Sequence, residues 1–230
     1  ILSDHNVAIG NDALATHNTG SSIDAYNVAV GSGAGFAVTT GKQNTFIGGN
    51  AGDANTTADN NTAVGYSAGS AVTTGANNTF VGSAAGDATD DGAGNTAMGY
   101  GALSANCGDG NVAVGSSAGT AITGGSNTVI GNAAGYAVTS GDNNLFLGKD
   151  AGRTGSPGGN HVTADSRIVL GDENIAVANI QVDWTVASDA RDKTDFTALD
   201  LGLEFVKDLQ PVTYKWDKRS KYGDKTADDY

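Results

Sequence analysis

The motif Asn-x-x-aliphatic-Gly recurs along most of this chain, starting at Asn6, Asn27, Asn44, Asn61, Asn78, Asn95, Asn111, Asn127 and Asn144, with a degenerate copy at Arg167-Ile168-Val169-Leu170-Gly171. Successive spacings are 21, 17, 17, 17, 17, 16, 16, 17 and 23 residues. Counting the motif Asn as position 0, position +7 is Ala in all nine copies, from Ala13 and Ala34 to Ala134 and Ala151. Of the 35 glycines, 33 fall in residues 1–187, and aromatics make up 7% of the chain. Such a composition belongs to disordered chains or to repeats. Disorder does not hold a register of this kind, and a period near 17 assigns one coil of backbone to each repeat. The expected fold class is all-β, a repetitive β-solenoid or β-roll.

Each position has a physical reading. Position +3 is aliphatic (Ile9, Val30, Ile47, Val64, Val81, Met98, Val114, Ile130, Leu147), and position +1 is β-branched or Leu, as in Val28, Thr45, Thr62 and Leu145. Two residues apart, they share one face of a short strand and are expected to point into the coil. The following Gly forms a corner that needs positive φ. Alanines at +7 and +10, such as Ala34 and Ala37, are expected to form a second, tightly packed strand. Stacked Asn side chains suggest a hydrogen-bonded ladder.

On this reading position +2 faces outward, yet it is apolar in every copy: Ala8, Ala29, Phe46, Ala63, Phe80, Ala97, Ala113, Val129, Phe146, Val169. An outward apolar stripe is buried against a partner, most simply the same stripe on identical chains around an axis. The sequence therefore predicts a symmetric homo-oligomer, a homotrimer by the resemblance given next, whose interface contains Phe46, Phe80, Phe146 and Val129. Asn6-Val7-Ala8-Ile9-Gly10 resembles the repeat of YadA-like adhesin heads, which are trimeric β-rolls with shorter coils. The longer repeats and the Ala/Phe alternation depart from that pattern, so its handedness and packing are not carried over.

Charge and composition exclude several functions. Residues 1–187 carry 4 Lys/Arg against 15 Asp/Glu, and residues 188–230 carry 8 against 10. An acidic repeat does not bind nucleic acid or an anionic membrane through charge. No run of apolar residues is long enough for a membrane span, and no signal peptide is visible. Cys107 is the single cysteine, and His5, His17 and His161 are scattered, so no disulfide framework, metal cluster or cofactor is expected. Repeat-region aspartates (Asp24, Asp53, Asp87, Asp90, Asp91, Asp109, Asp150) fall at corners, where Asp favours turns, and no pair stands out as a glycosidase would require. Asp90-Asp91 is a weak candidate for holding a cation. The Thr pairs of Val38–Gly41 and Val72–Gly75 do not recur in each coil as a flat ice-binding array would need. Insertions interrupt the period between Ala15 and Tyr26 and between Arg153 and Asp165, as end-caps or recognition loops.

After Gly171 the repeat dissolves into the alternating run Ile175–Val186, expected to form neck strands. Ordinary globular sequence then begins with Ser188-Asp189-Ala190-Arg191-Asp192-Lys193. Asp200 is a candidate cap for a short helix ending near Leu209, before Pro211. A lysine that sheds its proton can act as base towards a nearby hydroxyl, so Ser188 and Lys193 form a minimal nucleophile–base pair; alternatively, Ser188-Asp189 simply starts a turn or caps a helix. With Leu199–Val206 and Leu209–Trp216, the segment resembles the start of the intramolecular chaperone domain of endosialidase-type phage tail spikes and fibres. That resemblance implies self-cleavage before Ser188, with Ser188 and Lys193 as catalytic residues and Asp189 and Arg191 shaping the turn.

The expected organisation is a β-solenoid over residues 1–171, neck strands over 172–187, and the N-terminal part of an α+β chaperone domain over 188–230. Because Ile1-Leu2-Ser3 begins in mid-pattern, the chain reads as a fragment. The function this implies is the structural and adhesive distal part of a phage tail fibre or spike on the virion. Its expected partners are two further copies and a host surface receptor, glycan or protein. The alternatives are a trimeric cell-surface adhesin and a glycan-depolymerising tail spike.

Overall fold

A computed structural model describes residues 5–18 and 24–179. Ten three-residue strands lie in chain order in one parallel sheet: β1 (Val7–Ile9), β2 (Val28–Val30), β3 (Thr45–Ile47), β4 (Thr62–Val64), β5 (Thr79–Val81), β6 (Thr96–Met98), β7 (Val112–Val114), β8 (Thr128–Ile130), β9 (Leu145–Leu147) and β10 (Ile168–Leu170). Each pairs only with its sequence neighbours, and the register carries every motif position onto its counterpart, as Thr45 onto Thr62 and Thr62 onto Thr79. This is a parallel β-solenoid with about 17 residues per coil, and the described residues contain no helix.

The facing of the strands is the reverse of the sequence expectation. Phe46 and Phe80 are 1% exposed, and Val129 and Phe146 are 0% exposed, so position +2 points into the coil. These four residues are packed in the core of a single chain and are not available as a trimer interface. Positions +1 and +3 face outward. The alternation separated the two faces correctly, but the choice of the inner one went to the β-branched column, whereas a thin coil admits only a column whose volume suits its opposite wall.

That opposite wall is position +11 and its neighbours. Where +2 is Phe, the buried residue at or next to +11 of the same repeat is small and polar: Asn55 with Phe46, Thr89 with Phe80, and Ser156 with Phe146. Where +2 is Ala, the facing residue is bulkier: Val38 with Ala29, Val72 with Ala63, and Ile122 with Ala113. Ala97 and Ala113 lie in successive coils, and buried Leu103 supplies the missing volume between them; its Cδ2 reaches the Gly119 backbone beside Ile122 and Val129. From β2 to β6 the inner column thus alternates small and large with a compensating buried residue, as close packing demands; on β8, the mid-sized Val129 goes with buried Val138. Asn55 is wholly buried with neither end of its amide hydrogen-bonded; its size suits the site, its polarity does not.

Glycine is required where coils touch. A Cβ at Gly48 would strike the carbonyl of Gly65, and the same clash recurs along the position +4 column. At +8, Gly52 and Gly86 adopt φ 59° and 63° and lie against the Phe46 and Phe80 rings. Position +6 is also left-handed, as in Asn50 (φ 53°) and Ser67 (φ 53°). These left-handed residues turn the backbone, so the +7 alanines lie on buried turns, the +10 alanines are half-buried or exposed, and the expected second strand is absent. Leu103 takes the +8 conformation at φ 50°, accepting backbone strain on the order of 1–2 kcal/mol against the burial of a Leu side chain, about 1.5–3 kcal/mol.

The expected asparagine ladder is present. Asn44 Oδ1 accepts the Asn61 N–H at 2.9 Å, and Asn61 Oδ1 accepts that of Asn78 at 2.9 Å. The series runs from Asn6 to Arg167. Most of the amide groups also donate across the corner of their own coil, Asn61 Nδ2 to the Gly75 carbonyl and Asn78 Nδ2 to that of Gly92, each at 2.8 Å. Each asparagine therefore ties its coil to the next and closes its own turn, satisfying backbone groups that burial would otherwise penalise. The 16-residue coil after Asn95 disturbs this: Asn95 Nδ2 has no partner, while Asn111 Nδ2 reaches Gly108 O at 3.1 Å and Gly124 O at 3.0 Å.

Of the neck run, residues 175–179 are exposed and form no strand; the remainder and the expected helix from Asp200 lie outside the described residues. The chain divides into units at Asn179 and Ile180.

Candidate functional site

Because +2 points inward, the exposed columns are +1 and +3. Ile47, Met98, Ile130 and Leu147 are 40%, 45%, 37% and 44% exposed, and Val30, Val64, Val81 and Val114 are half-buried between them. Thr45, Thr62, Thr79 and Thr96 stack in register on consecutive strands. The outer face of the sheet is therefore a continuous aliphatic column beside a column that is threonine on β3–β6 and β8 and aliphatic elsewhere. The sequence reading assigned this column to the core.

Next to it, at position +5, stand Tyr66 and Tyr100, 64% and 67% exposed. The Tyr66 ring lies over the preceding coil, where a Cβ on Gly49 would meet its Cδ2 at 3.4 Å. Sequence reasoning missed both tyrosines. The available signal was two aromatic rings in a column otherwise made of Ser, Gly, Asn and Lys.

The aspartates mostly have structural work. Asp59, Asp109, Asp142 and Asp165 accept backbone N–H groups of the preceding coil, as Asp59 Oδ1 does from Lys42 at 2.7 Å. The Asp90 carboxylate accepts the Thr73 hydroxyl, and its own N–H donates to Asn106 Oδ1 at 2.9 Å. Among the described residues no group of three His, Cys, Asp or Glu is placed to hold a metal ion. Asp53 and Asp87 share position +9 two coils apart, and each has one buried oxygen without a partner. Burial pushes the Asp53 carboxyl above the usual range, against the backbone hydrogen bonds of Asp53 and Ala54. Burial also raises the Cys107 thiol, against its contact with the Thr89 hydroxyl, which disfavours the reactive thiolate.

The insertion after Arg153 is an ordered cap. His161 stacks on Phe146 with centroids 5.9 Å apart, and Ser156 Oγ donates to the Asp150 carbonyl at 3.0 Å. Burial opposes ionisation of Asp150, but hydrogen bonds from Lys149 and Arg153 outweigh it and hold its carboxyl below the usual range. Arg153 also lies over the Tyr136 ring, 5.0 Å from its centroid. At the end of the first insertion, Tyr26 stacks on His5 of the first coil, whose Nδ1 lies 3.0 Å from Asp24.

Ser188 and Lys193, with Asp189 and Arg191, lie outside the described residues. Residues 188–229 match the model of the peptidase S74 family, described as the chaperone of endosialidase. Comparison with curated proteins and with solved structures found no match.

Proposed function

We propose that this chain is the solenoid-bearing part of a phage tail-fibre or tail-spike protein, assembled as a homotrimer and presenting a host-receptor-binding surface on the virion. The observation that carries this reading is the succession of a solenoid with an outward aliphatic column and a segment matching the endosialidase chaperone. Three chains would bury their +1 and +3 columns against one another. This replaces the +2 column as the proposed interface and keeps the argument that an exposed apolar stripe seeks a partner. A stack of similar outward rungs can slip by one coil, and a folding template that holds three chains together until the coils close prevents this.

Release of the template would begin with Ser188 Oγ attacking the Ala187 carbonyl while a neutral Lys193 amine takes the hydroxyl proton. Acyl transfer from the Ser188 nitrogen to its oxygen breaks the peptide bond, and water then hydrolyses the ester, leaving a free Ser188 amine. Lysine becomes neutral when burial disfavours its charge, so a chaperone domain folded around Lys193 would arm the site.

The test is expression from the full reading frame, followed by light scattering and mass measurement. The expected product is a trimer, with a released fragment that starts at Ser188 and is abolished by Ser188→Ala. Val64→Asp with Val81→Asp should yield monomers or aggregates, because charges would enter an apolar contact. A native-size trimer carrying both aspartates would sink the proposed interface. An uncut wild-type trimer would reduce Ser188 and Lys193 to structural residues.

A further inference from the structure

We infer that Tyr66 and Tyr100 form a stacking platform for an extended, uncharged glycan lying along the solenoid axis. This deepens the receptor-presenting role proposed above by naming the face and the class of ligand. The two rings are the most exposed of the large hydrophobic side chains at the corners of the central coils. They occupy equivalent positions two strands apart in a parallel stack, a separation of about 9.6 Å at the usual strand spacing. That is close to the length of one disaccharide unit in an extended β-linked chain, so alternate sugars would meet successive rings. With its ring lying over the Gly49 backbone, Tyr66 can offer its outer face to the apolar face of a sugar while its hydroxyl stays in water.

The surroundings favour a neutral ligand. The chain carries a formal net charge of −13, yet positions +5 and +6 are uncharged in every coil from Ser32 to Ala133. Ser83 lies between the two rings, and Asn50, Ser67 and Ser116 flank them, supplying side-chain donors and acceptors without ionic groups. A polyanion would meet repulsion from the rest of the molecule, and a peptide would find no pocket or sheet edge here for its side chains or backbone. Rigid coils hold both rings at a fixed spacing, so little ordering cost accompanies binding.

The experiment titrates the full-length protein with cello- and chito-oligosaccharides of two and six sugars, using calorimetry, with light scattering on the same samples. The longer ligands should bind at least about ten-fold more tightly than the disaccharides, the ratio expected when a second ring contributes about 1.4 kcal/mol. Tyr66→Ala and Tyr100→Ala should each remove this length advantage without changing particle size, and Tyr66→Phe should keep it. Absence of binding to any of these sugars, or unchanged binding by the doubly substituted protein, would overturn the inference. So would a change of particle size in that variant, which would assign the rings to a chain–chain contact. A monomeric wild-type protein that still showed length-dependent binding would refute the trimer alone.

Discussion

The inner and outer faces of this solenoid use their side chains in opposite ways. Inside, large and small alternate from β2 to β6: Phe46 follows Ala29, Ala63 follows Phe46, and the buried residue near +11 changes size with them. Outside, Thr45, Thr62, Thr79 and Thr96 repeat one another, and Ile47, Val64, Val81 and Met98 differ only slightly. The interior specifies which coil sits on which; the exterior presents a surface that is nearly uniform along its length. Intrachain order is therefore written into the inner columns, and the outer ones are suited to a partner that is itself repetitive.

The contrast can be broken most forcefully from inside. Phe80→Ala should destabilise the stack by about 3–5 kcal/mol, since the ring fills the layer lined by Gly69 and Gly86 and its loss leaves a cavity. Adding Thr89→Ile should restore about half of this, because Ala113 with Ile122 already packs that way. Denaturant unfolding measures both, and an unrescued double variant would argue against volume exchange across the coil. A second and smaller loss is expected for Asn78→Ala. It strands the Asn95 N–H and the Gly92 carbonyl, each held at 2.8 Å, at a cost of about 2–4 kcal/mol for two buried groups. Protection of the Asn95 amide against hydrogen exchange should fall with it; unchanged protection would mean that the ladder is ornamental. Least affected should be Val81→Thr on the outer face. Thr already occupies the neighbouring column, and unfolding of the monomeric solenoid should shift by no more than about 0.5 kcal/mol. A loss comparable to that of Phe80→Ala would show that the outer column carries core packing.

Much of this architecture was legible in the residues. The period placed all ten strands, the Gly column marked the corners at Gly48 and Gly65, and the Asn column foretold the ladder. The sign of the strand faces was not legible from alternation, which distinguishes two faces without saying which is inside. Val and Ile at +3 looked like core, which by alternation put +2 outside. A signal was nevertheless there: Phe46 with Asn55, Phe80 with Thr89, and Ala63 with Val72 trade volume within a coil, and only residues facing one another across an interior have reason to do so. The alanine turns were misread as strand because left-handed residues such as Ser67 and Ala84 (φ 54°) carry no unambiguous mark in sequence. Tyr66 and Tyr100 escaped notice because their column lies between the motif positions that defined the repeat.

The alternation inside the coils also bears on how such a chain can change length over generations. Deleting one coil, say residues 61–77, would bring Phe46 and Phe80 into adjacent layers and leave two rings competing for one space. Removing residues 61–94 would instead join Phe46 to Ala97 and keep large next to small. Recombination between repeats should therefore be tolerated in pairs through this part of the gene. Near residues 95–111, where two alanines already adjoin and Leu103 makes up the volume, the alternation skips one ring but keeps its parity, since Phe146 on β9 falls an even number of strands after Phe80 on β5.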